Sequence, residues 1–379
     1  MNQIVPIQIL RGIAALTVAF GHAQHDAKVQ SVRIGGDFER IFTLPWGAGV
    51  DLFFVISGFI MVYSSERLFS RPDAAGHFLG RRLVRIAPLY WLFTGLYLAL
   101  LIRAAATEGK VLPALPDILA SFAFWPTDAF GDGIPRPILT LGWTLNYEMF
   151  FYCVFALFIG FARDRAVLGV ATLLGALVLL GALVPAVPQG PFGAAAFFWT
   201  RPILVEFAFG MGLALLLRAG VRLSAPVRGA LAATAVAALV WDAMGSGHQA
   251  LDWTTPNEGL RVLGWGVPAA LLVAAAALGP LWRLAGPGQL ITRIGARLGD
   301  ASYALYLSHP FVIFGFRKAW MAAGLHDRLG FWPMLAISLV LSCLVALLVH
   351  ALVEKPLTTW LQARTAPHPS AAMSPPNAA

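Results

Sequence analysis

Arg11 and His22 stand eleven residues apart in the apolar stretch ILRGIAALTVAFGH, residues 9–22. At about 100° per residue, eleven residues close nearly three helical turns. The two side chains therefore leave one helix face, roughly 16 Å apart along its axis. An imidazole can take the proton of an attacking hydroxyl, and a guanidinium can grip an anion. Asp51 opens the next apolar run, GVDLFFVISGFIM, at about the depth of His22. A carboxylate there would accept an imidazole N–H, set the tautomer and support the imidazolium. The same aspartate also suits a helix N-terminus through the macrodipole.

Two further clusters carry chemistry. In GRRLVRIAPLYWL, Arg82 and Arg85 are three residues apart and share a helix face beside Arg81. Two guanidinium forks so placed can hold phosphates, although arginines at the inner end of a membrane helix also satisfy topology. In LGWTLNYEMFFY, Trp143, Asn146, Tyr147 and Glu148 form a polar, aromatic turn. In GDASYALYLSHPFVIF, Ser302, Tyr303, Tyr306, Ser308 and His309 precede Pro310, which frees backbone groups and suggests a kink lining a cavity. Arg201 and Glu206 add charge within another apolar run. A charged side chain at the centre of a membrane helix costs about 3 kcal/mol on insertion scales, so each of these needs a reason. We expect His22, Asp51 and Glu148 to be catalytic. Arg11, Arg82 and Arg85 are expected to bind an anionic donor, and Trp143, Asn146, Tyr303 and His309 to touch substrate. No metal is expected. His22 and His25 lack a completing ligand cluster, and the two cysteines, Cys153 and Cys343, form no CxxC pair.

These residues must be carried by membrane helices. The 379 residues are 58% hydrophobic and only 12% charged, about half the charge content of a soluble protein of this size. The expected fold is all-α, a polytopic bundle of about ten transmembrane helices near 4–24, 48–65, 83–103, 141–161, 167–185, 201–218, 226–241, 262–279, 301–317 and 331–352. Alternating these spans from a cytoplasmic N-terminus puts 15 of the 27 Lys and Arg on the inner side. That excess implies N-in and C-in. The first run has no basic leader segment before it and is read as a permanent span. A membrane domain over 1–357 and a disordered cytoplasmic tail over 358–379, ending SAAMSPPNAA, complete the division. The longest outer loop, 104–140, carries aspartates at 117, 128 and 132. The net charge of +8 is spread over loops, which favours cytoplasmic anchoring over nucleic-acid binding.

Taken together, LRGIAALTVAFGH, GVDLFFVISGFIM, RRLVRIAPLYWL, GWTLNYEMFFY, LGDASYALYLSHPFV and LVEKPL resemble the integral-membrane acyltransferase family 3. These are the O-acyltransferases of bacterial exopolysaccharide and O-antigen. The six pieces run in the family's order from residue 9 to 357. The resemblance implies a ten-helix enzyme in the bacterial inner membrane that transfers an acyl group, usually acetyl from acetyl-CoA, to a sugar hydroxyl. No permanently bound cofactor is implied. By position His22 matches the essential histidine, Arg11 its partner, and Arg82 and Arg85 the motif thought to hold CoA phosphates. Glu148 falls on the family's glutamate, but TLNYEMF stands where many relatives have a Ser-Leu-x-x-Glu-Glu-Gln-Phe pattern, which leaves the contribution of Asn146 and Met149 open.

The implied partners are acyl-CoA, a polysaccharide or lipid-linked glycan acceptor and membrane lipid, without nucleic acid; a homo-oligomer is compatible with the sequence. Acetyl is the default that the resemblance implies, while succinyl and longer groups occur in the wider family; direct transfer is favoured over an acyl-histidine relay. The oxyanion could be met by Tyr303, Asn146 or an arginine. Two other functions fit the same residues: a flippase of lipid-linked glycans without chemistry, or transfer to a lipid or small metabolite.

Overall fold

The computed structural model describes residues 4–183, 192–245, 258–280 and 288–365. Among these residues the chain is helical and contains no strand, only an isolated bridge between Asp128 and Arg136. The helices are α1 (Val5–Arg33), α2 (Ala48–Ser64), α3 (Ala74–Glu108), α4 (Leu115–Phe122), α5 (Trp143–Phe158), α6 (Arg163–Gly181), α7 (Gly193–Phe198), α8 (Val205–Arg218), α9 (Ala225–Gly245), α10 (Glu258–Arg261), α11 (Val267–Ala277), α12 (Gly288–Asp300), α13 (Ser302–Ala322), α14 (Leu325–Leu329), α15 (Trp332–Val349) and α16 (Lys355–Thr365). A π-helical turn at Val262–Gly266 joins α10 to α11, and another at His350–Glu354 joins α15 to α16.

Each of the ten expected apolar runs coincides with a helix wherever it is described. Among the described residues six helical segments are long and apolar enough to cross a membrane: Val5–Arg33, Ala74–Glu108, Arg163–Gly181, Ala225–Met244, Gly259–Ala277 and Trp332–Arg364. The chain is a multi-pass membrane protein. The four remaining expected runs correspond to α2, α5, α8 and α13. The first three have 14 to 17 residues, and α13 carries Arg317 and Lys318. A helix packed among other helices needs neither the length nor the apolarity that lipid demands. These four hold many of the polar residues singled out above.

α1 is the spine, in contact with α2, α11, α12, α13 and α15. Its first half packs into the main apolar core through Ile7, Ala14, Ala15 and Val18. Its last turns join a separate cluster of Ala23, Ala27, Phe38, Ile313, Trp320, Phe331, Met334 and Leu335. Small residues let backbones meet, as expected where lipid supplies no hydrophobic drive between helices. Between α2 and α8, a Cβ on Gly210 would lie 1.9 Å from the Val55 carbonyl oxygen, and one on Gly58 would lie 2.0 Å from that of Phe207. Gly210→Leu is therefore expected to cost at least about 1–3 kcal/mol of stability. Thermal unfolding in detergent would show it as a lowered Tm.

Two segments differ from expectation. Residues 288–300, read as inner loop, form the amphipathic helix α12, which lies against α1. Its Leu290, Ile291, Ile294 and Leu298 share one side, but Arg293 and Arg297 fall between them in sequence, so it lacks the long apolar signature of a span. The segment 104–140, read as an outer loop, is also ordered. α4 packs on α3, with the Tyr90 hydroxyl donating to the Ser121 carbonyl at 3.0 Å and Trp91 Nε1 to that of Phe122 at 2.8 Å. Its aspartates are spent internally. Asp117 accepts from Thr127, Asp128 accepts the N–H of Gly133 at 2.7 Å, and Asp132 pairs with Arg136. That guanidinium holds the Asp132 carboxyl below its usual range. The boundary drawn at 357 falls inside α16, which continues to Thr365; residues 366–379 of the expected tail lie outside those described.

Candidate active site

α1, α2, α3, α5 and α13 enclose a cavity of about 120 Å³. Arg11 reaches it from α1, Ser57 from α2, Arg82 and Arg85 from α3, Glu148 and Tyr152 from α5, and Tyr303 and Tyr306 from α13. Apolar side chains, among them Phe53, Phe54, Ile56 and Ile60, fill the gaps. Three guanidinium groups and one carboxylate thus face one small space. Cations outnumber the carboxylate on the cavity wall, while Glu354 and Asp300 act on Arg11 from outside it.

Each charge is held differently. The Arg82 side chain donates to Ser64 Oγ at 2.6 Å and lies over the rings of Phe78 and Tyr152. Arg11 donates to Gln8 Oε1 at 3.1 Å. Arg85 makes no hydrogen bond or ion pair among the described residues, leaving its fork open toward the cavity it lines. Glu148 accepts from Ser57 Oγ at 2.5 Å and from the Tyr152 hydroxyl. These two donors occupy the same oxygen and hold the carboxylate against the cavity wall.

The spacing that joins Arg11 to His22 leads along α1 to the second feature. His22 Nδ1 lies 2.9 Å from His309 Nε2, with the rings 5.2 Å apart between centroids and only 10° from coplanar. His309 is fully buried while His22 is exposed. The pair sits at the seam between the two apolar clusters, since Val18 and Leu307 belong to one and Ala23 and Ile313 to the other. Tyr306, one turn before His309, bridges to the cavity. Its ring lies 6.2 Å from that of His309, and it lines the space that the arginines face.

Asp51 stands elsewhere than expected. Both its oxygens are held by Arg261, at 3.0 Å from Nε and 2.9 Å from an outer nitrogen, inside the bundle. The fully buried Glu206 lies beside this pair, and Trp265 stacks under the Arg261 guanidinium while donating to Asp242 at 2.7 Å. The expected bond from His22 to Asp51 is thus replaced on both sides: His22 has His309, and Asp51 has Arg261. Arg261 was missed because it stands at the margin of an apolar run, where a cation reads as a loop residue. Ser57, Ser64 and Tyr152 were missed too; single hydroxyls in apolar helices carry little signal.

The other expected substrate contacts divide. Tyr303 lines the cavity, but its one hydroxyl proton goes to the Ile86 carbonyl at 2.7 Å, so it has none left for an oxyanion. Trp143 packs edge-on against Phe54 and Tyr147 and is not among the cavity-lining residues. Asn146 is fully buried away from the cavity, and neither amide atom finds a partner among the described residues. Among those residues no group of three or more His, Cys, Asp or Glu is gathered as a metal site would require.

Comparison with known proteins places this geometry in context. A family model described as an acyltransferase domain matches residues 5–351. The exopolysaccharide production protein ExoZ of Rhizobium meliloti (strain 1021) is 34% identical over 319 residues, covering 82% of this chain and 89% of that protein. The acyltransferase MdmB of Streptomyces mycarofaciens is 27% identical over 400 positions, covering 97% of this chain and 95% of its own. No solved structure matches the chain.

Proposed function

Because the chain belongs to the acyltransferase domain family, we propose that it is an O-acyltransferase that moves an acyl group, by default acetyl, from cytoplasmic acyl-CoA to a hydroxyl of an exported polysaccharide. The observation that carries this reading is the cavity in which Arg11, Arg82 and Arg85 face Glu148; His22 and His309 do not line it, and the link to them is Tyr306, a lining residue whose ring lies 6.2 Å from that of His309. In the bacterial inner membrane, with ten helices crossing and both termini inside, Arg82 and Arg85 lie toward the cytoplasm and His22 toward the far side. CoA phosphates stop at the two arginines, and the long, nearly uncharged pantetheine arm threads past Arg11. Neutral His22 takes the acceptor's hydroxyl proton as that oxygen attacks the thioester carbonyl. The C–S bond then breaks, the CoA sulfur leaves with a proton, and an ester remains on the acceptor. General-base help of this kind is worth about 10²–10⁴-fold. Glu148, tethered by Ser57 and Tyr152, is placed to position the donor or the sugar rather than to relay a proton. Similarity to a protein named for exopolysaccharide production supports a polysaccharide acceptor.

Membranes bearing the protein, incubated with labelled acetyl-CoA and candidate glycans, are expected to label the glycan. In the same assay Arg85→Ala is expected to raise KM for acetyl-CoA at least about tenfold, the worth of one charge-assisted hydrogen bond, with kcat changed little. Glycan movement without acyl incorporation and without dependence on CoA would instead identify a flippase.

A further inference from the structure

We infer that His309 is the positioning residue for His22, setting its tautomer through a chain of hydrogen bonds that starts at the Leu305 backbone carbonyl. The inference rests on His22 being the base, as proposed above. His309 Nδ1 lies 3.0 Å from the Leu305 oxygen, four residues earlier on α13. A carbonyl oxygen can only accept, so His309 Nδ1 carries the hydrogen. In a neutral ring the other nitrogen, Nε2, then holds a lone pair. Its neighbour at 2.9 Å is His22 Nδ1, which must therefore be the N–H. The near-coplanar rings suit that in-plane bond. Only one lone pair is left in the chain, on His22 Nε2, and the His22 ring is the exposed member of the pair.

The usual orienting partner of a catalytic imidazole is a carboxylate. None serves here, because both oxygens of Asp51 are held by Arg261. A neutral imidazole fixes the tautomer equally well without placing a second charge in the bundle. When His22 Nε2 gains the acceptor's proton, the Nδ1 proton can pass to His309 Nε2. The cation is then shared by two rings, and the second stays anchored at Leu305.

The test compares variants at 309 in the acetyl-transfer assay. His309→Gln keeps an acceptor near the position of Nε2; His309→Leu has none, and the side chain of His309→Asn is too short to reach His22. With KM for acetyl-CoA within about twofold of the parent, His309→Leu and His309→Asn are expected to lose about 10²–10⁴-fold in kcat, and His309→Gln to recover to within about tenfold of the parent. If leucine fails to fold, asparagine against glutamine makes the same comparison. Equal activity of the parent and the asparagine variant would overturn the positioning role. So would equal loss in glutamine and asparagine, especially with KM raised, since that marks a packing defect. His22→Ala run alongside separates the two ideas. An active His22→Ala removes the base itself, whereas an inactive His22→Ala beside a fully active His309→Asn removes only the role of His309.

Discussion

Replacing His22 with alanine is expected to abolish measurable transfer, a fall of about 10²–10⁴-fold or more in kcat, with the protein still folded in the membrane. The side chain is exposed and at the margin of both apolar clusters, so its loss removes little packing. KM for the acyl donor should hardly change, because the arginines proposed to hold it lie about three turns away on α1 and on α3. Single-turnover labelling from acetyl-CoA checks this directly. Wild-type turnover by His22→Ala would exclude general-base catalysis by that imidazole. Label trapped on the protein in the parent, and lost in the variant, would point to a covalent route instead.

Arg261→Leu is expected to have the largest effect on stability. It strands Asp51, fully buried, beside the equally buried Glu206. Removing one partner of a buried ion pair costs about 3–5 kcal/mol, because the other is left charged or is forced to take up a proton. Yield from detergent extracts and Tm should both fall sharply. Adding Asp51→Asn to Arg261→Leu should restore much of the loss, since neutralising both partners removes the stranded charge. The double variant also judges the role of Asp51. Restored transfer would make the aspartate structural, while a folded but inactive protein would return it to the catalytic machinery.

How much of this was legible in the sequence varies by residue. The helices were, because apolar runs broken by charged or Pro- and Gly-containing loops mark them without any knowledge of packing. The gathering of Arg11, Arg82, Arg85 and Glu148 about one cavity was also within reach: each is costly in a membrane, and costly residues share the places where the cost is repaid. Pairing was the part that could not be read. His22 bonds to a residue 287 positions away and Asp51 to one 210 away. Depth alone offered His22 an aspartate on the adjacent span, and nothing local to either residue says which of two candidates at one depth becomes the neighbour. α12 escaped for a different reason. An amphipathic helix laid on the first turns of α1 has the composition of a basic loop, and only its short periodicity could have shown it.

The pairing of Asp51 with Arg261 also bears on how the protein is made. At about 5–20 residues per second, the ribosome finishes α2 some 10–40 s before Arg261 exists. Throughout that interval a short helix with an acid near its start has no counter-ion and too little greasy length to be held by lipid on its own merits. Of its later neighbours only α1, against which it packs in the finished bundle, already exists. This part of the interior therefore closes only as the chain's second half arrives.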